Sequence, residues 1–248
     1  MKSIILAAGE GKRLRPLTNN IPKCMVKVDG KPLIEHQVSC LKRSGIEKIN
    51  ICLGYAHDRV SISGVKNFYN HNYSSTNMVS TLFCAESELS DEDILISYGD
   101  IIYNDDVLDK IIKDDSDIGV VSDKNWFEYW SARMKNPLDD AETFKLDING
   151  FIKELGKKAN DYSEIEGQYI GLFKIKSKFM PLIKDFYHSL DKNTLYDGNN
   201  FDNMYMTTFL QLISKNVVPL SPVFINNGWV EIDQPSDLEF LEFLKIKK

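Results

Sequence analysis

Residues 3–54 carry the pattern that most narrows the fold: an apolar strand, a glycine-rich loop, an amphipathic helix and a second apolar strand. Residues 3–6 form a short apolar run that ends in Ala7-Ala8-Gly9. Residues 33–41 have helical spacing and run into Ser44-Gly45, a stop signal. Residues 48–53 are the second strand, closed by Gly54. A strand, a crossover helix and a parallel strand make one right-handed βαβ unit.

The alternation continues through the first half. Residues 57–73 form a shorter segment ending near Phe68 and Tyr69, and residues 78–88 read as a helix with Val79, Leu82 and Phe83 on one face. Residues 93–97 are a strand leading into Tyr98-Gly99-Asp100; residues 107–112 are helical and 118–122 extended. Such a series predicts an α/β fold, a mostly parallel sheet with helices on both faces. The second half changes character. Asn149-Gly150 centres a hairpin over residues 144–152. A strand (168–175), helices (177–187 and 204–214), an extended run (217–225) and a closing helix (235–244) follow, with a polar loop at 191–203. The expected division is a core of about residues 1–122 and 215–248, with a small α+β lobe over about 123–214.

A formal net charge of −6 argues against a nucleic-acid or anionic-membrane binder, which would show a basic stripe. The opening MKSIILAAG is too short for a signal peptide, and no apolar run reaches membrane length, so a cytoplasmic protein is expected. Cys24, Cys40, Cys52 and Cys84 form no CxxC pair and lie in or beside apolar runs, so they read as buried free thiols. The sequence leaves a homo-oligomer open.

Chemistry concentrates near the N-terminus. Two glycines after a strand let a loop wrap a polyphosphate and offer backbone N–H groups to its oxygens. Lys12, Arg13, Arg15 and Lys23 add four cations within twelve residues. A nucleoside triphosphate needs such charge, because reaction spreads negative charge over its non-bridging oxygens. Neither GxxxxGK[ST] nor GxGxxG is present. Alone, a GxG after a strand is more often a tight strand-to-helix turn.

The whole string over residues 6–34, LAAGEGKRLRPLTNNIPKCMVKVDGKPLI, resembles the nucleotidyltransferase family that activates sugar phosphates and small phosphorylated alcohols. The family pattern LAAGxGxRLxPLT, then PK, then a short strand and GKPLI, is present element by element. The resemblance implies a Rossmann-like sheet sandwiched by helices. It implies a nucleotide held by Leu6, Ala7, Ala8, Gly9, Glu10, Gly11 and Lys12, bordered by Tyr98 and Gly99, with Arg13 and Lys23 on its phosphates. It also implies Mg²⁺, held by an acid after the central strand and another late in the chain; Asp100 and Asp233 match. Mg²⁺ takes oxygen ligands and bridges phosphates, and Asp100 follows a strand at the sheet edge where ligands gather. The competing readings are a turn aspartate at Asp100 and a helix cap at Asp233, ahead of Pro235. Glu231 shares a strand face with Asp233 and can assist.

Residues 123–169, and YSSTNMVST at 73–81, resemble the branch that includes phosphocholine cytidylyltransferases, and also enzymes that activate phosphoglutamine for capsular phosphoramidate. By that resemblance the nucleotide is CTP, with Thr76, Asn77 and Ser80 reading pyrimidine and ribose, although Asn77 serves equally as an N-cap. Where the sugar branch carries EKP, this chain reads ELGKKA, so Lys157 or Lys158 can face the acceptor phosphate. Trp126 and Trp130 are four apart on a helix and, with Trp229, can cage a quaternary ammonium; packing is the plainer reading. Arg133 suits an acceptor carboxylate, and one of the acids Asp139, Asp140, Glu142 and Glu166 an ammonium, beside Gln168 and Tyr169. Phosphoglutamine leads as the small phosphorylated acceptor, ahead of phosphocholine, aminoethylphosphonate and sugar phosphates. A nucleotide sensor without turnover is the non-enzyme alternative, though such a protein would usually have lost Arg13, Lys23 or Asp100.

Overall fold

The first strand, Lys2–Ala7, sends alternate side chains into two different cores. Ile5 and Ala7 join one apolar cluster, Ile4 and Leu6 the other. A strand buried on both faces must lie inside a sheet covered by helices on each side. The computed structural model, which describes residues 1–245, has that arrangement.

In chain order the strands are β1 (Lys2–Ala7), β2 (Lys27–Val28), β3 (Lys31–Pro32), β4 (Lys48–Leu53), β5 (Lys66–Tyr69), β6 (Ile94–Tyr98), β7 (Ile101–Tyr103), β8 (Ile118–Asp123), β9 (Glu142–Leu146), β10 (Ile152–Lys158), β11 (Gln168–Ile175), β12 (Ser221–Ile225) and β13 (Trp229–Glu231). The α-helices are α1 (Leu33–Arg43), α2 (Met78–Phe83), α3 (Asp105–Lys113), α4 (Trp126–Arg133), α5 (Met180–Ser189) and α6 (Met206–Asn216). Among the described residues, seven strands form the main sheet in the order β12-β8-β11-β6-β1-β4-β5. Its pairs are parallel except where β11 runs antiparallel to β6 and β8. One face is covered by α1, α3 and α4, the other by α2, α5, α6 and the β9–β10 hairpin. The expected α/β fold, with its mostly parallel sheet between helices, is the one observed.

Four details differ from expectation. First, β11 falls within the proposed lobe yet sits in the middle of the main sheet, so a division at 123–214 would cut through the sheet. Second, the closing segment is two 3-10 turns, Pro235–Glu239 and Leu241–Leu244, not one helix. Its last carbonyls are drawn off, because Phe243 O accepts from Gly228 N (2.8 Å) and Leu244 O from Asn104 Nδ2 (2.9 Å). Third, the helix after Asn77 stops at Phe83 and resumes as a 3-10 turn at Glu86–Glu88. Fourth, Cys84 is exposed, while Cys24, Cys40 and Cys52 are buried. No helix among the described residues is long and apolar enough to cross a membrane.

Candidate active site

The C-terminal ends of β1 and β6 lie side by side, with Leu6 registered against Tyr98. Both chains then leave the sheet together. Gly99 N donates to Leu6 O at 2.8 Å, and a Cβ on Gly99 would meet that oxygen at 2.8 Å and Ala7 Cα at 2.9 Å. Only glycine allows this approach. The loop after β1 turns at Gly11, where φ is +67°, and Thr18 Oγ1 donates to Gly11 O at 2.7 Å. The fold of the loop leaves Lys12 and Arg13 exposed. Lys23 is instead largely buried, with its ammonium on Asp100 Oδ2 at 2.7 Å and on Asp233 Oδ1.

Three carboxylates meet there. β13 pairs antiparallel with β7, with Glu231 opposite Ile101, and Ile232 N donates to Asp100 O at 2.9 Å. That register carries Glu231 and Asp233 to Asp100, and ligand oxygens of all three lie within 4.8 Å of one another. Arg13 Nη2 donates to Asp233 Oδ2 at 2.5 Å. The carboxylate of Asp233 therefore meets cations, and the cap expected of it is made by Gln234 and Asp237. Burial opposes the charge on Asp233, but Lys23, a hydrogen bond with Glu231 and the charge of Arg13 together outweigh it and take the carboxyl down to about 2. Glu231 goes the other way: burial, then Asp233 and Asp100, hold its carboxyl well above the usual range. Burial likewise opposes the charge on Lys23, and Asp100, Asp233 and Glu231 overcome it and raise its pKa. The donor set is all oxygen, and Asp100 Oδ1 is buried without a hydrogen-bond partner. Both features fit a hard divalent cation.

Three connected clefts surround this cluster. The first is lined by Leu6, Ala7, Ala8, Gly9, Lys23, Thr76, Asn77, Gly99 and Asp100. The second runs over the loop from Gly9 to Arg13 to Tyr98, Asp100, Glu231 and Asp233. The third holds Trp130, Trp229, Tyr98, Tyr169, Gln168, Glu142, Asp140, Tyr205 and Thr207, and shares Arg13, Glu231 and Asp233 with the second. Burial, and next Asp140, push the Glu142 carboxyl up to about 7. Asn77 both caps α2, its side chain accepting from Met78 N at 2.8 Å, and lines the first and third clefts.

Several expected site residues lie elsewhere. Ser80 donates its hydroxyl to Asp202 O at 2.9 Å and lines none of the three clefts. Trp126 is buried against Trp130 and Tyr162 behind the third cleft. Arg133 is buried and bound to Asp237 and Glu231, so it is not free for an acceptor carboxylate. Glu166 accepts from Leu146 N at 2.8 Å and helps fix the hairpin. Lys157 and Lys158 are exposed on β10, Lys157 beside Glu154, because the register turns Gly156 toward Thr207 and the lysines away from the clefts. Asp140, one of the acids expected beside an ammonium, lines the third cleft with Glu142, whereas Tyr205 and Thr207 line it unannounced by any motif.

A glycine-rich loop, a buried lysine and a carboxylate cluster bordered by three connected clefts make up the candidate site. The nucleotidyl transferase family model matches residues 2–124. The chain is 45% identical over 249 residues to the CTP:phosphoglutamine cytidylyltransferase of Campylobacter jejuni, covering 96% of this chain and 98% of that protein. It is 41% identical over 99 residues to the choline-phosphate cytidylyltransferase of Streptococcus pneumoniae, covering 38% of this chain and 43% of that one. The solved structure of the CTP:phosphocholine cytidylyltransferase from S. pneumoniae superposes with a TM-score of 0.68 at 25% identity, covering 98% and 99% of the two chains. The chain belongs to the nucleotidyl transferase family and is an enzyme of that class. The resemblance carried by residues 6–34 extends along nearly its whole length.

Proposed function

We propose that the protein is a cytidylyltransferase that moves CMP from CTP to the phosphate of phosphoglutamine, releasing pyrophosphate and forming CDP-glutamine. The observation that carries this reading is the shared wall of the clefts. Arg13, Glu231 and Asp233 border both the phosphate loop and the third cleft, so an acceptor phosphate in the third would face the α-phosphorus of a nucleotide in the first two. The 45% identity to a phosphoglutamine enzyme supports the choice of substrates.

Transfer is a single in-line displacement. An acceptor phosphate oxygen attacks the α-phosphorus, the bond to the β-phosphate breaks, and pyrophosphate leaves. Phosphate is already ionised at neutral pH, so no general base is needed. Lys23 and Arg13 exchange their carboxylate partners for phosphate oxygens and neutralise charge as it grows. Asp100 and Asp233, with Glu231 beside them, would hold Mg²⁺, which would supply Lewis-acid stabilisation of negative charge on phosphate.

In the third cleft, Asp140 and Glu142 suit the ammonium of an amino-acid acceptor. With Arg133 occupied, the acceptor carboxylate turns to the first turn of α6, where Met206 and Thr207 line the cleft. Amides in a helix's first turn lack intrahelical acceptors. Phosphocholine is the second reading, favoured by the Trp130 and Trp229 side chains in the wall of the third cleft. The product would be a diphosphate-activated donor for a surface-polysaccharide substituent, made in the cytoplasm, where CTP is available and buried thiols such as Cys24 and Cys52 stay reduced.

The test is pyrophosphate release from each of the four nucleoside triphosphates with phosphoglutamine, phosphocholine, aminoethylphosphonate or glucose 1-phosphate. The expected result is Mg²⁺-dependent release with CTP, fastest with phosphoglutamine. No release from CTP with any of these acceptors would sink the reading.

A further inference from the structure

Arg133 is one of only five arginines in the chain, and its side chain is 2% exposed. Its guanidinium grips Asp237 as a fork, Nε to Oδ1 and Nη2 to Oδ2, both at 3.1 Å. The remaining arm, Nη1, reaches Glu231 Oε2 at 3.3 Å. Asp237, itself wholly buried, accepts Asp233 N at 2.7 Å and Gln234 N at 2.9 Å through Oδ2. Four residues before Arg133 on the same helix face, Tyr129 holds the Glu231 backbone. Its hydroxyl accepts from Glu231 N at 2.9 Å and lies 3.2 Å from Glu231 O.

We propose that Tyr129, Arg133 and Asp237 form a buried brace that sets Glu231 and Asp233 in the arrangement that receives a divalent cation. The inference rests on the metal reading above. Glu231 and Asp233 crowd two carboxyl groups at the end of a three-residue strand, which alone cannot hold them in one arrangement. α4 counters this from behind: Tyr129 fixes the Glu231 backbone and Arg133 its carboxylate. Asp237 fixes Arg133 in one rotamer and ties down the backbone of Asp233. The front of the cluster, toward Asp100, is held by the Lys23 ammonium, which gives way to the ion. None of the three touches substrate, so they are positioning residues.

The test measures Mn²⁺ alone binding to the full-length protein, by the electron paramagnetic resonance signal of free Mn²⁺. Asp100→Asn identifies the site. The double variant Arg133→Met with Asp237→Leu replaces a buried ion pair with apolar groups of similar bulk, which generally preserves a fold. Its melt is expected to stay cooperative while its Mn²⁺ affinity falls about 10- to 100-fold, the usual cost of losing outer-sphere support. CTP affinity measured in EDTA is expected to be unchanged. Tyr129→Phe should weaken Mn²⁺ binding less, and Arg133→Lys should fall between wild type and the double variant. A folded double variant with wild-type Mn²⁺ affinity overturns the brace and leaves the metal reading standing. If the double variant does not fold, wild-type Mn²⁺ affinity in both Arg133→Lys and Asp237→Asn overturns it equally. A wild-type protein that binds no Mn²⁺ at Asp100 sinks the metal reading and the brace together.

Discussion

Glu142→Gln separates the cost of an acceptor site from its use. Glu142 opens β9 in the wall of the third cleft, where burial and then Asp140 lift its carboxyl from an ordinary 4.5 to about 7. The folded protein therefore binds that proton more tightly than the unfolded chain does. Stability contributed by the neutral form is complete below pH 4.5, declines as pH rises toward 7, and is gone above it. The gap corresponds to about 3 kcal/mol above pH 7. Glutamine keeps the shape without the charge, so the substrate-free variant should gain up to about 3 kcal/mol at pH 8 and almost nothing at pH 4.5. For a chain of this size the gain at pH 8 is roughly 6–12 °C in melting temperature. The same variant should bind an ammonium-bearing acceptor less well. An ammonium favours ionised Glu142, so wild-type acceptor affinity should climb as pH rises to about 7, and the variant should lose that slope. The assay is thermal melting at both pH values, paired with acceptor KM across the range. Equal melting temperatures for variant and wild type at pH 8 would refute the burial argument, and an unchanged KM profile would take Glu142 out of the acceptor site.

Other perturbations separate the parts of the site. Lys23→Met removes the buried cation between Asp100 and Asp233 and should lower kcat/KM by about 100- to 1,000-fold, read by pyrophosphate release. Trp130→Phe keeps most of the packing behind the third cleft and should raise acceptor KM while leaving CTP KM unchanged in steady-state kinetics. Gly99→Ala forces a Cβ against Leu6 O and should cost about 1–3 kcal/mol in urea melts, with weaker Mn²⁺ binding as Asp100 is displaced.

Much of the core was legible because its strands are apolar runs with sharp ends. Residues 48–53 and 168–175 match β4 and β11 residue for residue. Local pattern could not say where β11 goes. It enters the middle of the sheet antiparallel, a choice set by partners β6 and β8 far away in sequence. The candidate phosphate loop was legible because Gly9, Gly11, Arg13 and Lys23 fall within one short stretch. Asp100 and Asp233 came from motif position, and the β7–β13 register brings their carboxylates together. The acceptor side was harder to read. Trp130 borders the third cleft, but Trp126, one turn earlier, packs behind it. Arg133 looked free because its partner Asp237 is 104 residues away. The lysines of ELGKKA point outward because hairpin register, invisible in composition, gives the inward position to Gly156. Thr207 and Tyr205 belong to no motif and reach the cleft only through the placement of α6.

In the proposed reaction an oxygen of the acceptor phosphate attacks the α-phosphorus of CTP beside Lys23, Asp100 and Asp233. Phosphoglutamine carrying ¹⁸O on its phosphate, incubated with CTP, Mg²⁺ and the protein and followed by mass spectrometry, tests that bond directly. All of the label is expected to remain in CDP-glutamine and none to enter pyrophosphate. Label in pyrophosphate, or hydrolysis of CTP without a labelled CDP-glutamine product, would contradict it.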